Sequence, residues 1–326
     1  MTAFLATLGG KLADTWLSLL VLPGLLYLAV ASAGSVLGHR NPFDHGRLIE
    51  RIDTMAGAPA THSPGTVVLV AALVLAGSAG VSRLAGALGG GVERLWLGDW
   101  PRPLRPVARA LTRRRARRWS AADARYRQAL TARALRAASA SASVSASTSA
   151  STSEGPSALG DVRDDSTTAP DTAELGEARN LIALTHPTRP TWMGDRLLAA
   201  DARVHRSYAI DLTSAWPRLW LLLPDTAHTE IQTARAALTG AARRAAWGLL
   251  YVLPALWWWP AAVIVAVTWA GAWRQGRLAV HEFAELVEAA VDLHGRDLAT
   301  ALGIPCEERL TAAEGLEITR TLRKGA

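Results

Sequence analysis

His281, Glu285, Glu288 and Asp292 follow one another at helical intervals of four, three and four residues. On an α-helix such positions form one stripe. An imidazole and three carboxylates in a row are donor types that bind divalent metals. The opposite side of the same helix would carry Phe283, Leu286, Val287, Ala290 and His294. That makes the solvated face of an amphipathic helix the simpler reading and the metal site a weak candidate. A second set, His39, Asp44, His45 and His62, matches no established ligand spacing.

Asp195, Arg196, Asp201, His205 and Asp211 cluster around the segment TWMGDR. Their side chains are capable of acid–base work, but nothing in their spacing assigns a nucleophile, a base and an orienting group. The sequence has no Walker loop, no G-x-G-x-x-G after a strand, no H-E-x-x-H and no G-x-S-x-G. GALGGG follows an apolar segment and not a strand, so it is no phosphate loop. The single cysteine, Cys306, excludes an intramolecular disulfide and cysteine-rich zinc sites. The expectation is a protein with no catalytic residues, no metal and no cofactor.

The chain carries 35 Lys and Arg, nearly all of them Arg, and a net charge of +7. The charge is uneven, with a basic block over 91–137 and an acidic one over 138–180. Within the first lies RRRARR, with Arg113, Arg114, Arg115, Arg117 and Arg118. Aromatic interleaving and a nucleic-acid motif are both missing, so nucleic acid is a poor partner. A basic segment beside a membrane is drawn to anionic lipid head groups, and that is the partner expected of these five arginines.

Three apolar segments position everything else, at 16–34, 66–90 and 245–273. Each meets or approaches the ~18 residues needed to span a bilayer. The first has Pro23 and Gly24 mid-segment, which a membrane helix tolerates. A cleaved signal peptide is disfavoured because Asp14 offsets Lys11, leaving no positive leader. In the second, Ser78, Ser82, Gly86 and Gly90 recur every four residues and offer a row for close helix approach, or simply a loosely packed helix end. The basic block after it places 91–137 in the cytoplasm, with the N-terminus (1–15) also inside and the loop 35–65 outside.

The third segment includes WGLLYVLPALWWWPAAVIVAVTWAGAW, without a charge. Arg243 and Arg244 precede it and Arg274 and Arg277 follow it, so both ends belong to the cytoplasmic side. Trp247 and Trp273 mark the ends, while Trp257, Trp258 and Trp259 lie together in the middle. All five are expected at membrane interfaces. Pro260 suits the first turn of a new helix. The segment is therefore expected to form a spanning or re-entrant hairpin, which returns the tail, 274–326, to the cytoplasm.

Between the segments, 138–178 is dominated by ASASASVSASTSASTS and an acidic Ser/Thr tract, and is expected to be a disordered linker. Over 179–244 the sequence predicts a helix capped near Thr191 and ending near Tyr208. A short helix capped by Asp211 or Thr213 follows, with Pro217 in its first turn, and then a long helix capped by Asp225. A tail helix is expected over 277–302, stopped by Gly303 and Pro305. A last short helix over 310–322 has Thr311 and Glu314 as a capping box.

The block PTWMGDRLLAADARVHRSYAIDLTSAWPRLWLLLP resembles a family of uncharacterised multi-pass membrane proteins of GC-rich Gram-positive, actinobacterial-type bacteria. The similarity extends over VLPGLLYLAV, the WWWP segment and AVDLHGRDLATALGIP. It implies a topology and assigns no activity. The sequence thus points to an all-α plasma-membrane protein with four membrane-embedded helices, two spans and the Trp/Pro hairpin, carrying a helical cytoplasmic domain. The expected role is a non-enzymatic anchor or scaffold for a partner protein. The alternative is an oligomeric pore or membrane-perturbing effector of a defence system.

Overall fold

The computed structural model describes residues 22–39, 41–56, 63–150 and 171–323. The expectations for 1–15, the start of the first apolar segment, His62 and the part of the linker at 151–170 fall outside these residues. Among the described residues the regular structure is wholly helical.

Helix α1 (Leu22–Leu37) lies against α3 (Pro64–Leu97), with α2 (His45–Ala56) between them in the chain. The loop expected at 35–65 thus contains a helix. Pro64 opens α3 at a position where its missing N–H costs nothing. Gly98, at φ 90°, ends it: the Gly98 N–H reaches Leu95 O at 3.2 Å and the Asp99 N–H reaches Arg94 O at 2.8 Å. Such a left-handed residue closes the helix by satisfying its last carbonyls. The helix is therefore longer than the 66–90 expected. It is the one described helix long and apolar enough to cross a membrane.

Helix α4 (Arg105–Ala150) runs well into the stretch expected to be linker, and α5 (Thr172–Ile182) packs beside it. The physical reason is composition: no glycine or proline stands between Pro106 and Gly155, and alanine is the best helix former. Asp171 caps α5 by accepting from the Ala173 N–H at 3.0 Å.

The remaining helices build the domain. Thr191 caps α6 (Trp192–Tyr208) and Asp211 caps α7 (Leu212–Leu222), in which Pro217 sits in the interior and not in the first turn. Helix α8 (Asp225–Leu250) has Pro224 at its cap, and Asp225 is the first helical residue. After the short α9 (Val252–Ala255) the chain turns at 256–259 and enters α10 (Pro260–Ala301). The hairpin's second arm and the expected tail helix are one element of 42 residues. Gly303, at φ 76°, and Pro305 follow it, and α11 (Ala312–Arg323) ends the described chain. Its capping box is present: the Thr311 N–H donates to Glu314 Oε2 at 2.9 Å.

Helices α8 and α10 pack along a seam of small residues, including Ala241, Ala245 and Gly248 on one and Ala272, Gly276 and Ala279 on the other. Two apolar cores continue the seam. One, where α3, α6, α8 and α10 meet, holds Trp96, Met193, Leu238 and Val280. The other, at the far end, is closed by α7 and α11 around Ile210, Leu219, Leu298 and Ile318.

Gly315 of α11 sits where a Cβ would overlap the Tyr208 carbonyl, whereas Gly240 of α8 has open space around it. Gly315→Ala is therefore expected to destabilise the domain by about 1–3 kcal/mol. Gly240→Ala should stabilise it by about 0.5–1 kcal/mol. Thermal unfolding in detergent reads both, and equal effects would contradict the packing.

Candidate functional site

The cluster around TWMGDR forms a polar hub where four helices converge. Thr191 Oγ1 donates to the Trp96 carbonyl at 2.5 Å and accepts from the Gly194 N–H. Met193 is fully buried beside Gly276. Gly194 lies against the Leu97 carbonyl, 2.6 Å from where a Cβ would stand. No side chain fits there, so α6 and the end of α3 approach backbone to backbone.

Asp195 and Arg196 follow, and both side chains are buried, at 5% and 1% exposure. Asp195 Oδ1 accepts from the N–H groups of Thr188 and Arg189 at 2.9 and 2.7 Å. Its other oxygen pairs with Arg115 of α4, which also donates to the carbonyls of Arg189 and Ile182 at 2.8 and 2.9 Å. Arg115 is thus a structural staple. Expected as a lipid contact, it has Nη1 and Nη2 turned to acceptors within the protein. Arg113, Arg114, Arg117 and Arg118 remain exposed on the same helix.

Arg196 points the other way, to α10. It donates to His281 Nδ1 at 3.2 Å and pairs with Glu285 and Glu288. Arg203 donates to Glu288 Oε2 at 2.8 Å, and the Tyr208 hydroxyl donates to Asp292 at 2.8 Å. The stripe His281, Glu285, Glu288 and Asp292 is therefore the polar seam between α10 and α6. Glu288 is half-buried in it, while His281, Glu285 and Asp292 stay exposed along its edge. On α6 the partners Arg196 and Arg203 stand seven residues, about two turns, apart, Tyr208 reaches in from the helix end, and a buried charge such as Arg196 needs such partners. Among the described residues no group of three or more His, Cys, Asp or Glu is placed to hold a metal ion. Between α1 and α2, Asp44 accepts from the Arg47 N–H at the start of α2.

The tryptophans divide into two groups. Trp247 lies 6.4 Å from Tyr27 of α1, and Trp273 makes an edge contact with Trp96 at 5.7 Å. At the turn, the Trp258 Nε1–H donates to the Pro42 carbonyl at 3.0 Å, and Trp259 meets Phe43 edge-on at 6.1 Å. The Trp257 Nε1–H is buried without an acceptor among the described residues.

Three ionisable groups nearby are shifted. Burial, then repulsion from Asp211, raises Asp201, which lines a cleft with Leu197, Leu198, Trp216 and Phe283. The hydrogen bond to Asp292 raises Tyr208. Burial would raise Asp211, but hydrogen bonds from Arg323 and Ser214 outweigh it and hold the carboxyl low. None of these is joined to a nucleophile. The hub was visible in the sequence as a cluster, but Arg115 and the α10 stripe were not visibly its partners. They lie more than 60 residues away along the chain, and no local signal links them.

Comparison with family models, curated proteins and solved structures finds no match.

Asp195→Ala leaves Arg115 and two backbone N–H groups without their acceptor. It should cost about 3–5 kcal/mol. Asp99→Ala, which breaks an exposed pair with Arg189, should cost ~1 kcal/mol or less. Denaturant titration compares them, and near-equal losses would refute the buried staple. The sign for Asp201 is opposite. Its raised pKa means that ionisation disfavours the folded state as pH rises through the carboxylate range. Asp201→Asn should therefore raise the melting temperature at neutral pH and lose that gain below about pH 4. A gain that persists in acid would exclude this origin.

Proposed function

We propose that the chain is a bacterial plasma-membrane scaffold that holds a helical cytoplasmic domain at the membrane surface for a partner protein. The observation that carries this is the course of α10. Its first turns expose Val263 and Val267, and its later turns carry the ion-paired stripe to α6. One helix of about 63 Å thus joins an apolar-surfaced region to a polar domain without a hinge.

The exposed apolar side chains support a four-helix membrane region. They gather on α1 (Leu22, Leu26), the first half of α3 (Val68, Leu73), the end of α8 and α9 (Leu249, Leu253) and the start of α10. Arg243, Arg244 and Arg274 are exposed where these surfaces end, and α3 meets that level at Gly89, against the Arg243 backbone. Basic residues there suit the cytoplasmic interface. From Arg274 back to Pro260 the helix rises only about 21 Å, less than the ~30 Å hydrocarbon core. The hairpin is accordingly read as re-entrant, with its tip against Pro42 and Phe43. The termini are then both cytoplasmic, with Arg113, Arg114, Arg117 and Arg118 free for anionic lipid. The resemblance noted in the sequence supports the same topology.

The second reading, an oligomeric pore or membrane-perturbing effector, is favoured by one feature. The apolar face of α3 is almost uncovered, and Gly86 and Gly90 face open space.

Two measurements separate the readings. A photo-crosslinking residue at Leu293, 74% exposed on α10, should give in cells one adduct of a mass different from a dimer. The purified protein should release no dye from liposomes. Leakage with dimer or higher adducts would establish the pore, and no adduct at Leu293 or at Leu316 would remove the scaffold.

A further inference from the structure

Where α3 ends, α4 begins and the loop at 188–190 passes, the surface forms an open cavity of about 490 Å³. Its wall carries four arginines: Arg105, Arg109 and Arg113 of α4 and Arg189 of the loop. The first three are spaced four residues apart and line one face of the helix. None of these three has a hydrogen bond or ion pair with the described protein. The sole carboxylate in the wall, Asp99, is engaged by Arg189 Nη1 at 2.9 Å. Arg189 is itself fixed: its N–H donates to Asp195, its carbonyl accepts from Arg115, and its stem lies against Gly98, where φ is 90° and a Cβ would stand 3.0 Å from Arg189 Cδ. The buried staple thus braces one side of the cavity while three uncommitted guanidiniums line the other.

Like charges gathered in a concave wall raise one another's energy unless an anion lies between them. Guanidinium forks match the oxygens of phosphate in geometry and charge. The volume is that of a small-molecule site, about 300–1,000 Å³. We propose that this cavity binds a phosphoryl group through Arg105, Arg109, Arg113 and Arg189.

The proposal deepens the membrane-surface part of the reading above. It differs from a diffuse attraction to lipid in naming a bounded site. Gly98 lies nine residues beyond Gly89 along α3, about 13 Å past the level of Arg243. The interfacial layer is only about 5–8 Å thick on each side of the hydrocarbon. A phosphodiester at the lipid surface therefore falls short of the cavity. A phosphomonoester carried on an extended head group, or a free phosphate compound, reaches it.

The test uses the full chain in phosphatidylcholine nanodiscs. One arm measures binding of inorganic pyrophosphate. The other measures binding of a phosphatidylinositol monophosphate in the disc, with phosphatidic acid as the short-head-group comparison. Saturable binding in either arm is expected, weakened about tenfold or more by Arg109→Gln and by Arg113→Gln, each of which removes a charge-assisted contact. Both residues are exposed and unpaired, so folding should be unaffected. Arg118→Gln removes the same charge outside the cavity and should change binding less than twofold. The arm that responds identifies the source of the phosphate. Absence of saturable binding in both arms overturns the proposal. So does an equal loss from Arg118→Gln and Arg109→Gln, which would leave only the diffuse surface attraction. Were the membrane placement itself in error, the chain would stay soluble without detergent or discs, and pyrophosphate binding would persist there with the same arginine dependence.

Discussion

The organisation of this protein depends on two adjacent buried charges of opposite sign. Asp195 and Arg196 are neighbours on α6, and successive helical side chains diverge by about 100°. Each therefore requires its own partners on a different side. Asp195 finds them in α4 and the loop before α6, and Arg196 in α10. A helix anchored on two sides by buried ion pairs cannot rotate or slide without exposing one charge to an apolar environment. Buried ion pairs often add little net stability, but losing one partner strands the other, which holds the helix to this register. Around it, Thr191, Met193 and Gly194 seat the same helix on α3 and α10. A six-residue segment thus sets the relative positions of four elements.

The second constraint is closeness. Alanine and glycine along α8 and α10 bring their axes together, and Gly89 and Gly24 do the same for α3 against α8 and α1. Such a seam works by van der Waals packing and does not require water to drive it. It can therefore continue without change of chemistry from a part of the helix pair whose outer surface is apolar to a part whose outer surface is charged. What changes along α10 is the exterior: Val263 and Val267 first, then Arg274 and Arg277, then the acidic stripe.

The sequence made the helical class, the caps at Thr191 and Asp211, the box at Thr311 and Glu314 and the stop at Gly303 legible, because each is a local rule acting over a few residues. The chain reversal near Pro260 was legible from the matching arginines on either side. What could not be read was pairing. His281, Glu285, Glu288 and Asp292 have the pattern of a solvated face, and periodicity reports which side of a helix is polar but not which side chains of α6 pair along it. Arg115 looked like its neighbours Arg113, Arg114, Arg117 and Arg118, since a run of identical residues gives no sign of which one turns inward. The helical reach of α4 to Ala150 was missed for a different reason. Low-complexity composition argued for disorder, while the propensity of alanine, uninterrupted by glycine or proline, argued for helix.

These constraints together determine how the basic surface of α4 is held. Helix α4 is long, mostly exposed and packed chiefly on α5. Alone it would be free to swing about Pro101–Arg105. Arg115 prevents this, because its three acceptors belong to Asp195, Arg189 and Ile182, one in α6, one in the loop and one at the end of α5. The anchored residue lies only two positions from Arg113 and six from Arg109. The arginines of the cavity therefore inherit the rigidity of the hub, while Arg133 and Arg136, further along α4, do not. A guanidinium held in place loses less freedom when it meets an anion than one on a swinging arm. The same buried carboxylate that fixes the domain's register thus also pre-organises a cationic surface beside the end of α3.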